Sequence, residues 1–258
     1  MTTPMSPAAV AEALGKAPQE HLIVPNLDNS LVFSVDVECV ATGVQHHDRS
    51  VAQIGMVNCF GQQVLRLIVK PDKPVVSYLT PLTGLTAKIV QKFGIRESDA
   101  LKELKQVLPK NAILVGMNIR KDIEWLQLVE GTDFHSCYDL AGLFRVWNKN
   151  LGKGPRGAGS WTYFSLDHCA ATWLNINRGV DPATGQAGGH DAVRDAYDSM
   201  WLFNTYRQVQ HDPVQLQHFQ YRTLTTPLKP SFAKQNPTFE GCCMGNRKTC
   251  VCGAPFFS

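Results

Sequence analysis

From residue 30 to residue 70 the chain alternates between apolar, β-branched runs and short polar breaks. Three strands are predicted there, in "SLVFSVDVECV" (30–40), "VAQIGMVNCF" (51–60) and "QVLRLIVK" (63–70). Short turns around Gly61 and Pro71 make them an antiparallel meander. The period then lengthens. "LTPLTGLTAKIVQKFG" (79–94) reads as helical, with Thr86 as cap and Gly94 as stop, and "SDALKELKQVL" (98–108) is an amphipathic helix. The apolar run "NAILVGMN" (111–118) reads as a buried strand, with a helix after it in "KDIEWLQLV" (121–129). Strands and helices alternate from there, and both "SLDHCAATWL" (165–174) and "HDAVRDAYDSMWLFNTYRQV" (190–209) are helical. The predicted fold is α/β: an antiparallel three-strand meander plus parallel strands in one mixed sheet, flanked by helices.

One strand breaks its own pattern. In "LVFSVDVECVATG" (31–43), Asp36 and Glu38 interrupt a run that would otherwise be buried, and residues two apart in a strand share a face. Asp122 follows the strand "AILVGMN" where a helix begins. In "GGHDAVRDAYDSM", His190 and Asp195 are five apart and project from one side of a helix start. Four acids drawn from two strands and two helices, converging at a sheet edge, repel one another unless cations are present. Two Mg²⁺ ions answer that need, because hard cations take carboxylate and water oxygens.

These motifs resemble a known family. "SVDVECVATG" is similar to the first motif of the DEDDh 3′→5′ exonucleases of the DnaQ-like or RNase T-like (ribonuclease H-like) superfamily, in which D-x-E opens the active site. "VGMNIRKD" looks like the second motif and "HDAVRD" matches the third, H-x(4)-D, in the family's order. Thr83-Gly84-Leu85-Thr86 resembles the TG(I/L)T segment of the eukaryotic Rex and interferon-stimulated RNA exonuclease branch. Met117 departs from the pattern, which often has histidine there. The resemblance implies a ribonuclease H-like fold in which Asp36, Glu38, Asp122 and Asp195 bind two Mg²⁺ or Mn²⁺ ions. It makes His190 the general base on the attacking water and releases 5′-mononucleotides from a 3′ end. The backbone at Cys39, Val40, Ala41 and Thr42 is expected to line the pocket of the terminal nucleotide. Single-stranded RNA is the expected substrate, with DNA left open. The competing reading is a catalytically silent nucleic-acid-binding adaptor, against which the complete acid set argues.

Composition adds a division of the chain. Net charge is +3, but residues 213–258 hold five basic side chains and one acid, +4, against 20 basic and 21 acidic, −1, in the rest. We read residues 1–28 as an arm or short helix, 29–212 as the exonuclease domain and 213–258 as a basic linker and tail. "NKNLGKGPRGAGSWT" (148–162) reads as a surface loop whose Lys149, Lys153 and Arg156 are candidates for phosphate contact, with Trp161 beside it a stacking candidate. In the tail, Cys242, Cys243, Cys250 and Cys252 suit one structural Zn²⁺, with Cys242, His211 or His218 completing a site founded on the other three cysteines. Cys39, Cys59, Cys137 and Cys169 fall in apolar segments and read as buried thiols. His46 and His47, in the loop after the first motif, read as solvent-exposed. The chain shows no signal peptide and no run long enough to span a membrane, so an intracellular site, nucleus or cytoplasm, is expected.

Overall fold

The computed structural model describes residues 10, 22–151, 159–178 and 189–254. Its centre is a six-stranded mixed sheet in the order β4-β3-β2-β1-β5-β6. Strands β1 (Val32–Ala41), β2 (Arg49–Asn58) and β3 (Gln63–Lys70) form the antiparallel meander. Strands β5 (Ile113–Gly116) and β6 (Ser136–Asp139) add on parallel to β1, and the short β4 (Ile95–Arg96) pairs parallel with β3. The mixed sheet agrees with the reading of the sequence.

Helices cover both faces. On one side α3 (Glu97–Val107) and α4 (Ile119–Trp125) pack Leu104 and Ile119 against Val35, Ile54, Met56 and Leu114. On the other, the long α7 (Ala192–Val209) packs Met200, Phe203 and Tyr206 against Val32, Val57 and Val115. The short helices α1 (Thr80–Thr83) and α2 (Ala87–Phe93) follow the meander, with Thr86 capping α2 by accepting from the Ile89 amide. After β6 come α5 (Leu140–Leu143), a hairpin of β7 (Val146–Asn148) and β8 (Ser160–Thr162), and α6 (Leu166–Cys169), which runs on as a π-helical turn over Ala170–Leu174. Of the loop 148–162, the two ends are therefore strands, and Lys153 and Arg156 lie outside the described residues. No helix among the described residues is long and apolar enough to cross a membrane.

The division at residue 213 meets a different structure. Asp212 caps a further helix, α8 (Pro213–Thr225), by accepting from the Val214 and Gln215 amides, and Pro213 stands at its first position. α8 docks on the body through Thr223, whose hydroxyl accepts from Trp173 Nε1 at 2.9 Å and whose carbonyl meets His168 Nε2 at 2.7 Å. After α8 come α9 (Phe232–Gln235) and a small hairpin of β9 (Thr238–Phe239) and β10 (Cys242–Cys243), turned by Glu240 and Gly241 at positive φ. At the other end, Val24 exchanges two hydrogen bonds with the Gln210 side chain, which ties the segment before the sheet to the end of α7.

Candidate active site

The site lies where β1 outruns its parallel neighbour β5. Pairing of the two strands ends at Ser34↔Val115, so Asp36 and Glu38 stand beyond the carboxyl end of β5. A bulge in β2 falls at the same level, since Glu38 pairs with Gln53 while Cys39 pairs with Val51. Such bulges bend a strand and re-aim its side chains.

Two close approaches bring the distant acids here. The strand-to-helix turn after β5 places Gly116 so that an added Cβ would stand 2.7 Å from Ile119 Cδ1, and Asn118 takes the left-handed conformation before α4. Asp122, in the first turn of α4, then accepts from the Val37 amide of β1 at 3.0 Å. α7 begins directly against β2. A Cβ at Gly55 would lie 2.3 Å from both the Ala192 carbonyl carbon and the Val193 nitrogen. Gln53 clamps the same junction, donating to Asp191 Oδ2 at 2.9 Å and accepting from the Ala192 amide at 3.2 Å.

His190 is held from a third direction. Its amide donates to the Leu82 carbonyl at 2.6 Å, and Gly189 lies so near Gly84 that an added Cβ would meet the Gly84 nitrogen at 2.3 Å. The Leu82–Gly84 backbone therefore positions the histidine backbone. His190 Nδ1 pairs with Asp195 Oδ2 at 2.8 Å, and ligand atoms of Glu38, His190 and Asp195 all lie within 4.8 Å of one another.

The electrostatics of this cluster decide what it can hold. Burial pushes Glu38 up to about 8, with the Asp195 charge adding to it. Burial likewise pushes Asp122 up to about 7, against the Val37 amide, which favours the charged form. Asp36 is held well above the ordinary carboxylate range by burial and then by the charges of Asp122, Asp195 and Glu38. Asp195 goes the other way: burial alone would raise it, but the His190 hydrogen bond and the Arg178 guanidinium keep it low. His190 is raised, first by its hydrogen bond to Asp195. Three neighbouring carboxyls that resist ionisation are a donor set suited to divalent cations, whose binding would displace their protons.

No family model matches the chain. Over 210 residues it is 32% identical to the Homo sapiens protein "RNA exonuclease 5", covering 81% of this chain and 24% of that one. Over 177 residues it is 28% identical to "RNA exonuclease 4" of Candida glabrata, covering 68% of this chain and 60% of the relative. The chain thus spans about a quarter of the human relative's length. The Saccharomyces cerevisiae Pan2 pseudoubiquitin hydrolase–RNA exonuclease module, solved with AAUUAA RNA, matches at a TM-score of 0.56 and 14% identity, over 86% of this chain and 38% of that one. The chain is thus similar in sequence to proteins named RNA exonucleases, and it shares its fold with a solved RNA exonuclease module. Its acid set offers the hard oxygen donors that divalent cations take.

The remaining candidates are distributed unevenly. Val40 and Ala41 are fully buried, and the Ala41 amide and carbonyl are both bonded to the Val76–Ser77 backbone. These two do not line an accessible pocket, while Cys39 and Thr42 remain partly exposed. Lys149 is exposed at the end of β7. Trp161 packs edge-on against Trp147 under the Arg145 guanidinium, which commits its ring to the hairpin. Cys59 and Cys169 are buried as expected, and Cys39 and Cys137 are only partly so.

The cysteines of the tail also divide. Adjacent strand residues face opposite ways, so Cys242 turns inward, fully buried against Ala41 and Leu79, while Cys243 turns out. Cys243, Cys250 and Cys252 gather with His46, and not with Cys242, His211 or His218. His46 is therefore partly buried instead of solvent-exposed.

Arg178 has no counterpart in the sequence reading. Its side chain is 6% exposed and ion-paired with Asp167 at 2.7 Å, with Asp198 at 3.0 Å and with Asp195. No spacing marks it, since its three partners lie on two different helices.

Proposed function

We propose that this domain is a divalent-metal-dependent 3′→5′ exoribonuclease in which Asp36, Glu38, Asp122 and Asp195 hold two Mg²⁺ or Mn²⁺ ions and His190 is the general base. The support is the convergence of Glu38, His190 and Asp195 in one cleft, with Asp122, Asp195 and Glu38 close enough to Asp36 for their charges to raise it. The bound cations supply charge neutralisation for the scissile phosphate, the attacking water and the leaving oxygen.

The chain's own groups orient the reaction. Asp195 accepts from His190 Nδ1, which leaves Nε2 to take the proton from water. Attack forms a bond from water oxygen to phosphorus and breaks the bond from phosphorus to the 3′ oxygen of the penultimate nucleotide. A 5′-mononucleotide leaves, and the shortened strand ends in a 3′ hydroxyl. A structural Zn²⁺ in the C-terminal segment belongs to the same reading, and its thiolate ligands suit a reducing intracellular compartment.

Direction and sugar preference are tested together with 5′-labelled single strands. In Mg²⁺, RNA bearing a free 3′ hydroxyl is expected to shorten one nucleotide at a time, faster than DNA of the same sequence. A faster reaction on DNA, or shortening from the 5′ end, contradicts the proposal.

A further inference from the structure

Away from the acidic cleft, the described residues bring together one other group of metal-binding side chains: His46, Cys243, Cys250 and Cys252. Cys243 and Cys250 Sγ are 3.4 Å apart, and Cys250 and Cys252 Sγ 3.5 Å. His46 Nδ1 is 3.2 Å from Cys252 Sγ and 3.6 Å from Cys250 Sγ. A tetrahedral Zn²⁺, with Zn–S of about 2.3 Å and Zn–N of about 2.0–2.1 Å, places its ligand atoms about 3.5–3.8 Å apart. Four of the six separations therefore lie within a few tenths of an ångström of those of a filled site, and the other two, from Cys243 to Cys252 and to His46, are within 4.8 Å. A disulfide would need about 2.05 Å, and all eight cysteines are free. Three soft thiolates and an imidazole in a tetrahedral set favour zinc over hard cations.

We propose that these four side chains form a zinc centre that clasps the C-terminal segment across the β1–β2 loop, the loop that leaves the catalytic strand after Glu38. The backbone around the cysteines is shaped for it. The Gly245 amide donates to Cys243 Sγ at 3.5 Å. Gly245 has φ +70°, and an added Cβ would meet His46 Cβ at 3.3 Å, so a glycine lets the histidine reach the cysteines. The Cys250 amide closes a turn onto the Asn246 carbonyl at 2.8 Å, which brings its thiol back towards Cys243.

The ligands join two parts of the chain 206 residues apart. Among the described residues, direct bonds between those parts gather around the zinc ligands. The Cys243 amide donates to the Val44 carbonyl at 2.8 Å, and Gln45 Nε2 donates to the Cys252 carbonyl at 2.9 Å. Arg49 donates to the Cys243 carbonyl at 2.7 Å and to the Gln45 carbonyl at 3.0 Å. The zinc centre is thus a covalent-type link, added to these hydrogen bonds, between the C-terminal segment and the loop beside the active site. Its loss frees both.

The test uses the full chain purified without chelator. Elemental analysis is expected to find about one zinc per wild-type chain, and Co²⁺ in its place to show tetrahedral ligand-field bands with thiolate charge transfer. In competition with a chromophoric chelator, His46→Ala and Cys250→Ser are expected to bind zinc at least about tenfold more weakly than wild type. Removing zinc from the wild type is expected to speed amide exchange over residues 42–49. No zinc in the wild type, or full zinc affinity in His46→Ala, overturns the centre. Unchanged exchange over 42–49 after zinc removal overturns the clasp. None of these readouts depends on nuclease activity, so the centre stands or falls independently of the proposed reaction.

Discussion

Asp36, Glu38 and Asp122 are carboxyls that the fold leaves with little water around them, and their titration couples stability to metal. Unfolded, each has an ordinary pKa of about 4; folded and metal-free, Asp122 stands at about 7 and Glu38 at about 8. The folded state binds more protons, so the stability these groups contribute is complete below about pH 4 and is lost as pH rises towards 8. His190, raised as well, acts in the same direction, whereas the lowered Asp195 matters only at more acidic pH. Metal replaces the protons. Protein dialysed free of Mg²⁺ and Mn²⁺ is therefore expected to lose melting temperature from pH 5 to pH 8, and added Mn²⁺ to raise it more at pH 8 than at pH 5. A metal effect of equal size at both pH values would contradict this coupling. The acids and His190 were legible in the sequence because each lies at a fixed offset within a short motif. Arg178 was not, because its ion pairs to Asp167, Asp195 and Asp198 exist only once α6 and α7 are packed.

Elements reach the site through glycines at which one more carbon would not fit. Gly55 lets the first turn of α7 rest on β2, with an added Cβ 2.3 Å from backbone atoms of Ala192 and Val193. Neither wall is the tip of a flexible side chain, so α7 itself must shift. Gly55→Ala is expected to cost about 1–3 kcal/mol, a fall in melting temperature of roughly 2–4 °C per kcal/mol for a domain of this size. Activity measured well below the melting temperature should fall further than the lost folded fraction explains, because His190 and Asp195 ride on the displaced turn. A variant with wild-type activity and a wild-type melting temperature would contradict that packing role. The meander, β5, α3 and α7 were legible from period alone. The helix α8 was not, although Asp212 and Pro213 are a capping residue and a helix-start proline. Its polar composition hid a docking face of few residues, Leu216 and Thr223 being its buried ones.

At the scale of the whole molecule, the basic C-terminal region serves as structure before it can serve any anionic partner. Arg222 donates to Asn175 Oδ1 at 2.5 Å and Lys229 to Asn177 Oδ1 at 2.7 Å, so two of its five cations hold the loop that leads to Arg178. Further on, Glu240 accepts from the Ser77 hydroxyl, and Cys243, Cys250 and Cys252 close on His46. The region thus touches the body both at the loop before Arg178 and around the β1–β2 loop. That the tail cysteines would gather was legible in their closeness along the chain, but the approach of His46 was not, because it lies in a loop about two hundred residues earlier and only the fold brings it near. The purpose of the cleft itself rests on its acids. The most direct test follows a 5′-labelled single-stranded RNA in Mn²⁺ with wild-type protein and with Asp36→Asn, both confirmed folded by circular dichroism. The expected result is stepwise shortening from the 3′ end by the wild type, slowed on the order of 10³-fold or more in the variant. Undiminished shortening by Asp36→Asn, or internal cleavage by the wild type, would contradict it.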